Sequence, residues 1–108
     1  MAHYLVRARP IAERLSELRQ RLDAGEIEPL EPFGRALHHS LANARVDHDG
    51  STVWEELDYC QPPLAMERAA VLDHYFTDLS VEAVEEGVGW ERIESLPRLW
   101  KKKRPSDR

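Results

Sequence analysis

The sequence has 108 residues, 42% hydrophobic and 32% charged, with a formal net charge of −5. That is the size of one ordinary domain, and the balance excludes disordered, collagenous and low-complexity classes. No apolar run approaches the ~20 residues that span a bilayer, and the first ten residues lack the apolar stretch of a secretory signal, so a cytoplasmic protein without a membrane partner is expected.

Residues 2–8, AHYLVRA, alternate loosely and carry β-prone Tyr4 and Val6, which predicts a first strand. Pro10 suits the first turn of a helix. Ile11, Leu15, Leu18 and Leu22 then fall on a single apolar stripe, and Gly25 supplies a left-handed residue to end the helix. Residues 26–34 hold Pro29 and Pro32, each of which disfavours helix at the residue before it, so an extended connection tacked down by Ile27, Leu30 and Phe33 is expected. Residues 35–60 read as a long hairpin about Asp49-Gly50, because both central residues of a type I′ turn need positive φ. A two-residue loop opposes Val46 to Val53, Ala42 to Leu57 and His39 to Cys60. A three-residue loop with a bulge sets Leu41, Asn43 and Arg45 against the Val53/Leu57/Tyr59 face, a poorer apolar match, so the first register is expected. Pro62-Pro63 open a second helix over residues 64–76 with Ala65, Ala69, Leu72 and Phe76 as its stripe, and Leu79, Val81 and Ala83 mark a fourth strand. Trp90, Ile93, Leu96 and Trp100 belong to a C-terminal appendage broken by Pro97. The expected divisions are residues 1–86 as the α+β domain, 87–100 as a packing segment and 101–108 as a flexible basic tail.

The order strand, helix, strand, strand, helix, strand is the split βαβ pattern. Right-handed crossovers place both helices on one face of a four-stranded antiparallel sheet in spatial order 4-1-3-2. Leu18, Leu22, Leu57, Leu72 and Val81 are the expected core. The other face collects Leu5, Leu37, Leu41, Trp54, Cys60 and Val84 among His3, Arg7, His39, Arg45, Glu56 and Asp58. So many apolar side chains on an uncovered face read as a binding surface. In element order, over roughly residues 2–84, the chain resembles the ferredoxin-like fold and the dimeric α/β-barrel superfamily. The resemblance implies two such sheets stacked about a cavity, hence a homodimer through the open face; resting on order rather than on a motif, it transfers no catalytic residue. The segment from Trp90 to Trp100 is the competing cover for that face.

Three constellations carry the functional expectations. His39, Asp58 and Cys60 share a face in the expected register, where the imidazole lowers the thiol pKa, or thiolate, imidazole and carboxylate hold Zn²⁺. A free cysteine is more often a small buried hydrophobe, so no metal site and no cofactor is assigned. Arg7, Arg45, Trp54 and Glu56 are the ligand-binding candidates beside them, with the two arginines as anion anchors or as partners neutralising Glu56 and Asp58. Adjacent strand residues face opposite ways, which separates His38 from His39 and Glu55 from Glu56. Trp54 with the run Lys101-Lys102-Lys103-Arg104 is the least that an RNA surface needs, but Glu56 and Asp58 beside it and the negative net charge disfavour nucleic acid. The leading expectation is a binding or assembly domain. The alternatives are a small-molecule enzyme with cofactor-independent acid–base chemistry, in which His39 is the base and Asp58 its orienter, and an RNA-contacting domain.

Overall fold

A computed structural model describes residues 2–100. In chain order its elements are β1 (Ala2–Pro10), a 3₁₀ turn (Ala12–Arg14), α1 (Leu15–Asp23), α2 (Gly34–Ala42), β2 (Arg45–Val46), β3 (Thr52–Asp58), α3 (Ala65–Ala70), a second 3₁₀ turn (Leu72–His74), β4 (Phe76–Val84) and α4 (Val88–Ile93). The fold is α+β. All four strands run antiparallel in the order β2-β3-β1-β4, which read from the other edge is 4-1-3-2. The helices depart from the expected pattern: four α-helices form rather than two, and they cover both faces of the sheet.

The stripe of α1 buries Leu18 and Leu22 as its spacing dictates. The outer end of this helix is tied to the body by Tyr75, whose hydroxyl donates to Glu17 Oε2 at 2.6 Å and accepts from Arg21 Nη1 at 3.1 Å.

The expected first hairpin strand is instead a helix. Leu37, Ser40, Leu41 and Ala44 are buried at i, i+3, i+4 and i+7, which is helical spacing, so α2 forms where the turn signal suggested a strand. Only Arg45 and Val46 remain to pair with β3, and they do so as Arg45↔Val53 and Val46↔Thr52. The expected opposition of Val46 to Val53 is therefore wrong by one residue. The reason lies in the turn. Gly50 N–H donates to Asp47 C=O at 2.9 Å, Asp47 N–H donates to Ser51 C=O at 2.8 Å, and Gly50 sits at φ 87°. That is a three-residue loop with a glycine bulge, the alternative whose apolar match looked poorer.

Parity across the sheet corrects the two faces. Directly opposed residues of antiparallel strands project to the same side. Val6 opposes Trp54 and Tyr4 opposes Glu56, while Leu5 opposes Glu55 and His3 opposes Leu57. Trp54 thus joins Val6 in the main core, with Leu37 and Leu41 from α2 and Leu72 and Tyr75 from the segment after α3. Leu57 falls on the opposite side and is only half-buried. Val81 shares the side of Val6 but is 36% exposed, because β4 is an edge strand.

The expected open face is closed by the chain itself. Leu5 and Val53 pack against Ile93 of α4, flanked by Val84, Trp90 and Leu96. Glu55 accepts the N–H of Gly87 at 2.8 Å and of Trp90 at 3.2 Å, so it fixes the start of α4. Further along, Val46 N–H donates to Pro97 C=O and Leu99 N–H to Ala44 C=O, both at 2.9 Å, which binds the C-terminal segment to the edge of β2. Trp100 completes the attachment through Nε1–H to Leu41 C=O at 2.7 Å. The surface expected to carry a homodimer is thus an internal packing layer. Among the described residues no helix is long and apolar enough to cross a membrane.

Candidate functional site

Strand β3 carries Glu55, Glu56 and Asp58, and all three are buried. Glu55 is occupied at α4. The other two lie at the end of the main core that faces α3, where a third acid, Glu67, completes the group. Glu67 is 1% exposed, as is Glu56. It comes from a buried row, Leu64, Glu67 and Val71, at i, i+3 and i+7. The expected stripe of this helix was displaced: Ala69 is exposed and Ala65 half-buried, while Leu72 and Phe76 are buried as expected.

The loop between β3 and α3 aims the carboxyls. Leu64 adopts a left-handed conformation, φ 64° and ψ 19°, which is costly for a branched side chain and which turns its N–H onto Asp58 Oδ2 at 2.6 Å. Trp54 Nε1–H holds Glu56 Oε1 at 2.9 Å. That leaves Glu56 Oε2 and both oxygens of Glu67 buried with no partner among the described residues other than the protons the carboxyls share with one another. Among the described residues no ion pair reaches Glu56, Asp58 or Glu67. Uncompensated burial of carboxylate charge is expensive, and the group answers by holding protons. Burial pushes Glu56 well above the usual carboxylate range; the Trp54 hydrogen bond opposes this and the charges of Glu67 and Asp58 add to it. Burial raises Glu67 as well. For Asp58 burial acts the same way, but the Leu64 N–H, a hydrogen bond with Glu67 and the Tyr59 and Cys60 amides outweigh it and keep the carboxyl below its ordinary value. Asp58 is thus the readiest of the three to ionise, while Glu56 and Glu67 hold a proton more tightly than a free carboxyl does.

Cys60 lies at the edge of this cluster. One ligand-type atom each from Asp58, Cys60 and Glu67 lie within 4.8 Å of one another. The Met66 amide favours the Cys60 thiolate, but burial and the negative charges of Asp58 and Glu67 prevail and hold the thiol above its usual value. The cluster opens on a pocket of about 220 Å³ between α2 and the β3–α3 connection, with Phe33, Arg35 and Met66 around Asp58, Cys60 and Glu67.

The expected site residues are divided by this arrangement. Glu56, Asp58 and Cys60 come together. His39 does not, because it belongs to a helix rather than to a strand facing Cys60. It stands edge-on to Trp90, ring centroids 6.2 Å apart, in a different pocket lined by His3, Glu55 and Gly87. There Ser40 Oγ donates to Glu55 C=O at 2.8 Å, and His3 Nδ1 lies 3.4 Å from Glu55 Oε2. Arg7 pairs with Asp47 at the hairpin. Arg45 donates to the carbonyls of Leu96 at 2.8 Å and Glu94 at 3.3 Å. Neither arginine neutralises Glu56 or Asp58, and neither serves as an anion anchor in this pocket. Trp54 is fully buried and offers no base a stacking surface. The run Lys101–Arg104 lies outside the described residues. Glu67 was missed by sequence reasoning, although an acid in the Leu64–Val71 row was its signal.

No protein-family model, curated protein or solved structure matches this chain.

Proposed function

We propose that this chain is a ligand-binding domain that holds a compact cation in the carboxyl pocket. The observation that carries this reading is the set of three buried oxygens, Glu56 Oε2 and Glu67 Oε1 and Oε2, that among the described residues have no partner beyond the carboxyls' own protons. A stretch of sequence that spends two buried carboxyls without a counter-ion loses stability by doing so, and such losses concentrate where a site is needed. Each of these oxygens accepts only a proton, a hydrogen-bond donor or a metal ion. The scaffold is read as a ferredoxin-like sheet whose free face has been closed by α4, which moves the binding role from the sheet surface to the pocket beside β3. With His39, Arg7 and Arg45 engaged elsewhere, a binding role fits the residues present better than acid–base catalysis.

The test is a ¹H–¹⁵N correlation titration with compact cations, alkylammonium and divalent metal ions in turn. Amide shifts at residues 33–36 and 57–67 are the expected result with at least one of them. Shifts confined to the His39–Trp90 pocket, or none with any cation, overturn the reading.

A further inference from the structure

We infer that the pocket is a binding site for a borderline divalent transition-metal ion of the zinc type, held by Asp58, Cys60 and Glu67. The inference rests on the cation-binding reading and names its ligand. Three observations support it. The ligand atoms of these residues already lie within 4.8 Å of one another, and two of the three residues are buried. Glu67 contributes two buried oxygens that among the described residues have no partner beyond the carboxyls' own protons, and Glu56 Oε2 is buried in the same state. The donor set is also selective. A thiolate with two carboxylates is too soft for the all-oxygen shells of Ca²⁺ or Mg²⁺ and too hard for Cu(I), which leaves Zn²⁺, Co²⁺ and their neighbours. Three anionic ligands leave a coordination position open toward the 220 Å³ pocket, the pattern of a site that admits a further small ligand.

The supporting groups are in place for such an ion. The Leu64 N–H fixes Asp58, and the Trp54 indole fixes Glu56. Hydrogen bonds of this kind orient metal ligands and sustain affinity. On binding, the protons of the Cys60 thiol and of the Glu67 carboxyl leave to solvent as the metal–sulfur and metal–oxygen bonds form. No oxidation state changes, so no further reactant is required.

Co²⁺ is the probe, because its bond to a thiolate gives a charge-transfer band in the near ultraviolet. The full chain is titrated as wild type, Cys60→Ser and Glu67→Gln, with circular dichroism to confirm that each variant is folded. The expected result is one Co²⁺ per chain with the band present, the band lost in Cys60→Ser, affinity reduced about tenfold or more in Glu67→Gln, and Zn²⁺ displacing Co²⁺. Co²⁺ binding without the band, or a band that survives Cys60→Ser, overturns the ligand set. No Co²⁺ binding while alkylammonium still shifts residues 57–67 overturns the metal and leaves the cation-binding reading standing. Silence with both overturns the two together.

Discussion

Three carboxyls in contact cannot all be ionised in a dry environment, and their surroundings divide the work among them. Asp58 keeps its charge because backbone N–H groups surround it. Glu56 and Glu67 hold a proton more tightly than free carboxyls because burial penalises their charged forms, and the Trp54 indole only partly offsets this at Glu56. The two kinds of shift act on stability in opposite directions. A raised carboxyl binds more protons in the fold than in the unfolded chain, so its contribution is fully present below the ordinary value of 4.5 and is lost as pH rises through the folded value. A lowered carboxyl contributes above its ordinary 3.8 and loses that contribution as pH falls through the folded value. In chelator-treated protein the thermal midpoint should therefore decline from about pH 5 toward alkaline pH, and Glu56→Gln should flatten that limb. Thermal unfolding across the pH range checks it. An unchanged slope in the variant would mean that Glu56 is ionised in the fold.

At the scale of elements, the decisive contact is the approach of α4 to β3. Gly89 permits it: a methyl group there would come 2.8 Å from Glu55 Oε1 and 3.1 Å from its Cβ. Gly89→Ala should lift α4, weaken the N–H bonds from Gly87 and Trp90 to Glu55, and cost about 1–3 kcal/mol, as overpacking does. Amide exchange at Gly87 and Trp90 reports the first effect and denaturant unfolding the second. Wild-type protection in the variant would show that the helix is held by Ile93 alone. These elements were unequally legible. The stripe of Leu18 and Leu22 gave α1, because a surface helix is built from local spacing. The segment from Gly34 to Ala42 was misread, since the Asp49-Gly50 turn extends a strand pattern upstream whenever alanines and histidines fit both periods. The placement of Trp54 was illegible for another reason: the side on which it lies depends on how β3 is registered against β1, a contact between distant parts of the chain. Glu56, Asp58 and Cys60 were found as a group because three polar residues crowd one stretch of strand. Glu67 reaches them only through the folding of the 59–64 loop.

At the scale of the whole molecule, β3 is buried on both sides by the chain itself, while the edge strand β4 stays largely exposed. What remains unexplained by packing is the carboxyl cluster, and the account holds that it is kept for a cation and not for the fold. Glu67→Gln tests that claim most directly, because the amide preserves the shape of the side chain, carries no charge to bury and can donate to Glu56 or Asp58. The measurement is the unfolding free energy of wild type and Glu67→Gln in denaturant at neutral pH with a chelator present. The variant should be more stable by about 1–3 kcal/mol, the usual cost of leaving a buried polar group unsatisfied. A variant as stable as the wild type, or less stable, would contradict it and make Glu67 a structural member of the core.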